Sequence, residues 1–360
     1  EDFEPWVNPE DAVRAGLTTR QLAEKVAERW KKGLADSGQS GERIGRLRDA
    51  AEFRVYTPGS DSGLPVALAK SFPKPPDALS PEDLHERASA TVSALLGLAG
   101  VDADPIRSRE HILLANLLLH RWSTGADATV EQLIADVQTP PIRKLGVFDV
   151  DAFFPEKDRQ SLTLAINNVL ASPALASWRN GEPLDVDSML RSPKGKARVL
   201  IFSIADLNDE QRMFFVTLLL EELVGWMRQQ GGTSELRLLL YFDEVFGYLP
   251  PHPSNPPSKQ PLLTMLKQGR AFGLGVLLAT QNPVDLDYKS LSNAGSWWVG
   301  KLQTERDKAR LLDGLEGAAS SMGSLFDRAT IDRLISTLSR SEEHTSELQS
   351  HSDLVCRLLL

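Results

Sequence analysis

Two adjacent carboxylates, Asp243 and Glu244, close the apolar run LRLLLYFDEVFGY at residues 236–248. They stand at the end of a predicted β-strand. An aspartate at such a tip can orient Mg²⁺, usually through water, and a glutamate beside it can polarise an attacking water. Two like charges at one buried edge repel each other unless a cation or a division of roles relieves them. The alternative is a carboxylate pair that caps the helix or turn that follows.

Thr280 and Gln281 end the next predicted strand, GVLLATQ. In open α/β sheets, ligands bind beyond the carboxyl ends of the strands, so these two residues are expected to lie with Asp243 at a nucleotide. Gln281 suits a sensor that contacts a γ-phosphate or orients water. A glutamine that bonds only to loop backbone is the alternative.

Arg270 lies between these two strands, near the end of a predicted helix. An arginine there can reach out to a nucleotide bound by the next subunit of a ring. Equally, it can be a cation that interacts favourably with the carboxyl end of its own helix. The sequence leaves both interpretations open.

The elements that must position these residues alternate between strand and helix. Apolar runs at 197–204, 236–242 and 275–281 are separated by amphipathic stretches at about 209–229 and 261–272. Nearly continuous apolar composition in each strand predicts a parallel sheet that is covered on both faces, in an α/β protein. Residues 76–190 show a period near 3.6 with Pro and Gly between segments, which predicts an all-α insertion.

Composition sets limits on partners and surroundings. The chain has 40 basic and 49 acidic residues among 360, a formal net charge of −9. This balance argues against a general cationic surface but allows a few local basic loops that contact nucleic acid. No apolar run approaches the roughly 18 residues of a membrane span, so a cytoplasmic location is expected. The histidines show no metal-ligand spacing.

Two long stretches together carry a family resemblance. LLLYFDEVFGYLPP and PPSKQPLLTMLKQGRAFGLGVLLATQNPVDLDYKSLSNAGSWWVGKLQTERDKARLLDGL are similar to the HerA-like ATPases, of the HerA–FtsK branch of P-loop motor proteins. KQGRAFGLGVLLATQNP is the most specific part. The upstream stretch GKARVLIFSIADLNDEQRMFFVTLLLEELVGWMRQQ looks like the bacterial HerA-domain ATP-binding proteins that carry a helical insertion.

This resemblance implies a role for each candidate residue. Asp243 matches the Mg²⁺-orienting acid and Glu244 the catalytic glutamate. Gln281 matches the sensor beside Thr280, and Arg270 the arginine finger supplied to a neighbouring protomer. The family further implies ATP and Mg²⁺ as cofactors and a homo-hexameric ring. Such rings translocate along or unwind DNA, often beside a nuclease, and the basic residues Lys289, Lys301 and Arg306 are candidates for DNA-contacting pore loops.

The resemblance also implies a domain organisation. Residues 1–75 are expected to be the remainder of the first half of a RecA-like ATPase domain, and 191–339 its second half, on either side of the insertion. No stretch matches the phosphate loop G-x-x-x-x-G-K-[ST], so this loop is expected upstream of Glu1 and residues 1–339 alone are expected to lack ATPase activity. Residues 340–360 resemble a translated sequencing adapter and are expected to be disordered.

Two other functions stay open. The first is a non-catalytic, ATPase-like scaffold that lacks a phosphate loop by nature. The second is a coupling ATPase of secretion or conjugation, which shares the motor but moves protein or protein-bound DNA.

Overall fold

The chain divides into two compact units. The computed structural model describes residues 3–4, 7–60, 62–68, 72–75, 79–172, 175, 178, 180–281, 286–287, 294–299, 302, 304–321, 326–337 and 356–359. One unit comprises Glu1–Val55 and Ser188–Phe202, and the other comprises Tyr56–Asp187 and Ser203–Leu360. The four segments expected from the sequence stay a prediction, since this division follows different limits.

The first unit combines three helices with a two-stranded sheet. Its elements are α1 (Pro9–Arg14), α2 (Thr19–Asp36), α3 (Gly41–Ala50) and β1 (Ala51–Tyr56), which pairs with β6 (Ala197–Phe202). Thr18 begins α2 with a reciprocal cap, because its hydroxyl accepts from the backbone of Gln21 and the Gln21 side chain accepts from the backbone of Thr18. Ser192 and Arg198 donate to Glu52 on β1, which lowers the pKa of that carboxyl.

The second unit contains the helices of the predicted insertion. They are α4 (Pro81–Leu98), α5 (Arg109–Ser123), α6 (Val130–Gln138), α7 (Val150–Phe153) and α8 (Glu156–Ala171). The short helix α9 (Val186–Leu190) spans the point where the chain passes from this unit to the first. The long helix α10 (Asp209–Gln229) packs against α4, α4 packs against α5, and α6 packs against α8. Leucines at helical spacing on α5 are fully buried, as at Leu114 and Leu118. The helical period therefore identifies the face that forms this core.

This segment is not purely helical, which corrects the all-α prediction. Strands β3 (Lys144–Leu145) and β4 (Phe148–Asp149) form a short antiparallel hairpin. Gly146 in its turn has φ +59°, a value that glycine adopts without the penalty of a side chain. Strand β5 (Glu182–Pro183) pairs in parallel with β2 (Val66–Ala67), which lies outside the segment. Runs of two residues are too short to give a period-2 signal in the sequence.

The candidate residues lie in a β–α–β arrangement within the second unit. Strand β7 (Leu238–Phe242) runs parallel to β8 (Leu274–Leu278), and α11 (Lys259–Phe272) connects them. Helix α11 ends at Gly273, whose φ of +77° is the left-handed conformation typical of a helix stop. Helix α11 packs against β8 and α10. This arrangement confirms the prediction of a mixed α/β fold with parallel strands.

The strands are less covered than the sequence suggests. In the described residues they form two-stranded sheets only, and Leu239 and Tyr241 of β7 are each 57% exposed. Alternate residues of β7 are half-buried because successive side chains point to opposite faces of a strand. The prediction of a sheet covered on both faces is therefore wrong for the part that the structure describes. An apolar composition alone does not show which face of a strand is covered.

The last elements form a small cluster. They are β9 (Ser296–Val299), α12 (Glu305–Ser321), α13 (Arg328–Thr337) and β10 (Cys356–Leu359), which pairs antiparallel with β9. Leu311, Leu312, Leu315 and Ile335 are buried together with Val299. Strand β10 covers four residues of the 340–360 segment, and the disorder expected for that segment stays a prediction. The rest of 340–360 lies outside the described residues.

Among the helices that the structure describes, none combines the length and the apolar composition that a membrane crossing needs.

Candidate functional site

Strands β7 and β8 end side by side. Phe242 and Leu278 are the last paired residues of the two strands. The pairing continues one step beyond them, because the backbone of Ala279 donates to Phe242 (2.9 Å) and the backbone of Val245 donates to Ala279 (3.0 Å). The loops that follow the two strands therefore leave from one edge, as expected for parallel neighbours.

Glu244 and Gln281 meet at this edge. The side-chain amide of Gln281 donates to Oε1 of Glu244 at 2.5 Å, and the backbone N–H of Gln281 lies 3.5 Å from Oε2. Both oxygens of the glutamate thus face the end of β8. Glu244 has φ +50°, a left-handed conformation that is uncommon for a residue with a side chain and is concentrated at functional sites.

Asp243 has a different partner, Tyr241. The hydroxyl of Tyr241 donates to Oδ1 of Asp243 at 3.2 Å. Asp243 directly follows β7, two positions after Tyr241, and both side chains are exposed. Desolvation and the negative charge of Asp243 raise the pKa of Tyr241. Sequence reasoning missed Tyr241, although the period-2 spacing to Asp243 could have identified it.

The edge is open to solvent. Asp243, Glu244 and Gln281 are all exposed, whereas Thr280 is half-buried. The prediction that the carboxylates lie at a buried edge is therefore wrong. Water relieves part of their mutual repulsion, and an incoming polyanion with its cation has direct access to them. Neither carboxylate caps a helix within the described residues, which disfavours the capping interpretation.

A magnesium ion fits this edge in the manner typical of nucleotide sites. Magnesium keeps several waters and takes only one or two carboxylates beside the phosphate oxygens of its nucleotide. Asp243 offers one such carboxylate. Tyr241 donates to its Oδ1 and not to its Oδ2. Within the described residues there is no group of three or more acidic, histidine or cysteine side chains that could form an all-protein metal site.

Arg270 lies near the opposite end of the strands, where β8 begins. It is exposed in the last turn of α11, and its carbonyl accepts from Gly273, which directly precedes β8. The five residues of β8 separate this end from Gln281, a distance of roughly 16 Å at about 3.3 Å per residue. The structure therefore brings together Asp243, Glu244 and Gln281, and it does not bring Arg270 to them.

The surroundings of Arg270 bear on its two interpretations. Arg237 donates to the carbonyl of Phe272 at 3.3 Å, so a different cation serves the carboxyl end of α11. Within the part of the chain that the structure describes, the guanidinium of Arg270 makes no hydrogen bond or ion pair. With Lys267, Thr233 and Ser234 it lines a shallow open depression. This geometry favours a role outside its own helix.

The two loops beyond the strand tips are joined by a second set of contacts. Lys259, the first residue of α11, lies 2.9 Å from Oδ2 of Asp287 and donates to the carbonyl of Pro250 at 2.7 Å. The backbone of Asp287 donates to the carbonyl of Leu249 at 3.0 Å. Sequence reasoning missed Lys259 and Asp287, because a single lysine and a single aspartate carry no pattern.

The predicted DNA-contacting residues are only partly visible. Arg306 is exposed on the first turn of α12. Lys289 and Lys301 lie outside the described residues. Their role stays a prediction.

Comparisons with known proteins give distant structural similarity only. No protein-family model and no curated protein matches the chain. Among solved structures, the chain is similar to a bacterial conjugative coupling protein, TrwBdeltaN70 in its unbound monoclinic form, with a TM-score of 0.40 and 14% sequence identity. The similarity covers 75% of this chain and 65% of the other, so this chain spans just under two thirds of that protein's length. Similarity at this level assigns no fold family, and no site residue is transferred from it.

Proposed function

We propose that this chain provides the hydrolytic edge of a HerA-like, DNA-translocating ATPase. One observation carries the proposal: Glu244 and Gln281, which match the family's catalytic glutamate and sensor, bond to each other across adjacent strand tips. Residues that act on one phosphate must lie within a few ångströms of it, and the ends of these two paired strands hold both side chains within that reach of each other.

Each side chain has a distinct task in this proposal. Asp243 would hold Mg²⁺ through its carboxylate, and Tyr241 donates a hydrogen bond to Oδ1 of that carboxylate. Glu244 accepts a hydrogen bond from the attacking water and takes its proton as the water oxygen bonds to the γ-phosphorus, while the bond from that phosphorus to the β–γ bridging oxygen breaks and ADP leaves. Gln281 orients that water or the γ-phosphate. Magnesium, when bound with ATP, neutralises charge on the phosphate oxygens.

The arrangement needs two further contributions. Arg270 is too far from its own acidic pair, so in this proposal it acts on the nucleotide of an adjacent copy in a ring. No stretch of the sequence matches the pattern G-x-x-x-x-G-K-[ST], and the proposal assigns no residue of this chain to the backbone N–H groups and the lysine that would bind the β- and γ-phosphates. DNA is the proposed substrate of the ring because the sequence resembles DNA-translocating members.

The test uses the product of the complete open reading frame. We expect Mg²⁺-dependent ATP hydrolysis that DNA stimulates, and a loss of about 10²–10⁴-fold in kcat for Glu244→Gln with ATP binding retained. Glu235→Gln is the matched control, because Glu235 is an exposed glutamate shortly before the start of β7. This variant should leave kcat unchanged. Near-normal turnover in Glu244→Gln would refute the catalytic assignment. An inactive complete protein would favour the scaffold.

A further inference from the structure

Lys259 is a lysine in an unfavourable place. It is the first residue of α11, where the partial positive charge of the helix amino end disfavours a cation. Its side chain is only 8% exposed, so it also loses most of its hydration. The first turn of α11 contains no acidic residue, and Ser258 gives the helix no side-chain cap. A buried charge with these two penalties persists only when specific partners compensate them.

Those partners belong to the two loops that leave the catalytic edge. The ammonium group lies 2.9 Å from Asp287, which follows the sensor strand β8, and donates to the carbonyl of Pro250, which follows the acidic pair. The ion pair therefore joins the loop of Glu244 to the loop of Gln281 on the side remote from their direct contact.

Three successive carbonyls of the acidic loop are bound in the same place. Those of Tyr248, Leu249 and Pro250 accept from the Ser258 hydroxyl, the Asp287 backbone and the Lys259 ammonium, at 3.1, 3.0 and 2.7 Å. The stretch PPHPSNPPS that follows is rich in proline, which has no backbone N–H to donate. Donors for these carbonyls must therefore come from elsewhere, and Lys259 and Asp287 supply two of the three.

We infer that Lys259 and Asp287 are positioning residues that fix the distance between Glu244 and Gln281. The inference rests on the proposed function, because it names what holds that edge in its reactive geometry. The contacts of Leu249 and Pro250 with Asp287 and Lys259 join the acidic loop to a residue beyond the sensor strand at a second point, in addition to the direct contact of Glu244 with Gln281. Removal of the charge pair weakens this second connection and lets the glutamate and the sensor move apart.

The test measures ATP hydrolysis by the complete gene product with the charge removed. We expect Lys259→Met and Asp287→Asn each to lower kcat by about 10–100-fold with KM changed less than threefold, since misplacement by about 1 Å costs this much. The double variant should lose no more than the worse single variant. Lys157→Met is the control, because Lys157 is an exposed lysine in the first turn of α8, away from the strand tips and from Arg270; this variant should keep wild-type kcat.

If Lys259 and Asp287 only stabilise the fold, their variants should give different kinetics. If the pair acts through Glu244, then adding Lys259→Met to the Glu244→Gln variant should leave the residual rate of ATP hydrolysis unchanged. General loosening of the protein should lower that rate further. Lys259→Arg, which restores the charge, should recover at least half of the lost kcat. Should Lys259→Met fail to fold, the isosteric Asp287→Asn decides by the same criteria.

The two proposals fail separately. Full turnover in Glu244→Gln refutes the proposed function. Loss of turnover in Glu244→Gln together with wild-type kcat in Lys259→Met and Asp287→Asn overturns the positioning role alone. A further fall of the residual rate in the Glu244→Gln background also overturns it.

Discussion

Gln281 donates its side-chain amide to Glu244 at 2.5 Å, across the ends of two parallel strands. A carboxylate oxygen has two lone pairs, so Oε1 of Glu244 can accept from this amide and from a water at the same time. The contact therefore holds an amide donor and a carboxylate acceptor side by side at the edge where the proposal places the attacking water.

The first prediction concerns Gln281. We expect Gln281→Ala to lower kcat for ATP by about 10²-fold while the Kd for ATP changes less than threefold, because the amide acts on the water or the γ-phosphate during the reaction. Steady-state hydrolysis together with equilibrium binding of ATP measures both quantities. A kcat within twofold of wild type would remove Gln281 from the reaction.

The second prediction concerns Arg270. We expect Arg270→Ala to reduce turnover by about 10³-fold, in the range of arginine fingers, with Lys267→Ala as a neighbouring control that keeps its activity. Because Arg270 and Glu244 would act at different nucleotides, mixtures of Arg270→Ala with Glu244→Gln should contain hybrid interfaces that carry both wild-type groups. Hydrolysis by the mixture should exceed the average of the two variants. A rate equal to that average would assign Arg270 to its own subunit.

The third prediction concerns Glu221 on α10. Burial raises its pKa to about 7, although the charge of Arg87 opposes this shift. Glu86, Glu222 and Arg228 are the other charged groups that act on it. The native state keeps the proton up to about pH 7, whereas the unfolded chain releases it above about pH 4.5, so stability falls as pH rises between these values. Above about pH 7 the free energy of unfolding is therefore about 3 kcal/mol lower than below about pH 4.5.

Urea unfolding of Glu221→Gln checks this dependence. The variant has no proton to lose, so its free energy of unfolding should exceed that of the wild type by about 3 kcal/mol at about pH 8 and match it at about pH 4. Glu210→Gln, in the exposed first turn of the same helix, is the control and should change little at either pH. Equal differences at the two pH values would show that Glu221 is ionised when buried.

The fourth prediction compares two helical glycines. A Cβ at Gly225 would lie 2.5 Å from Nη1 of Arg87, whereas a Cβ at Gly33 would meet no atom within 4 Å. Arg87 is fixed by the carbonyl of Glu221 and the carboxylate of Glu222, so it cannot withdraw freely. Gly225→Ala should therefore destabilise the protein by about 1–3 kcal/mol.

Gly33→Ala on α2 should have the opposite sign. Alanine is favoured over glycine inside a helix by about 0.5–1 kcal/mol, and nothing opposes the added methyl group there. Thermal or urea unfolding of the two variants gives the comparison. A stabilised Gly225→Ala variant would show that the Arg87 contacts carry little energy.

Where the strand ends lie could be predicted from the sequence, whereas the roles of the residues there stay predictions. Asp243, Glu244 and Gln281 each follow an apolar run, and parallel strands place such positions side by side. The same reasoning could not show that β7 has an exposed face, because Leu239 and Tyr241 are apolar or aromatic like their buried neighbours. It could not find Lys259 and Asp287 either, since their partnership depends on how two irregular loops fold back.

Local signals were more reliable than distant ones. At the start of α12 the Thr304 hydroxyl accepts from the backbone of Asp307 at 3.1 Å, a cap that the local pattern of these two residues is enough to predict. The strands of the hairpin β3–β4 have two residues each, which is too short for a period-2 pattern. The placement of Arg270 at the far end follows from the length of β8, which sequence patterns predict only to within a few residues.

The central claim is that Glu244 activates water at these strand tips. Phosphate release and bound ATP, measured in one sample of the complete gene product with saturating Mg²⁺ and ATP, test it most directly. The account predicts that Glu244→Gln retains ATP at wild-type occupancy and releases phosphate at least about 10²-fold more slowly. Phosphate release at the wild-type rate in that variant would contradict it.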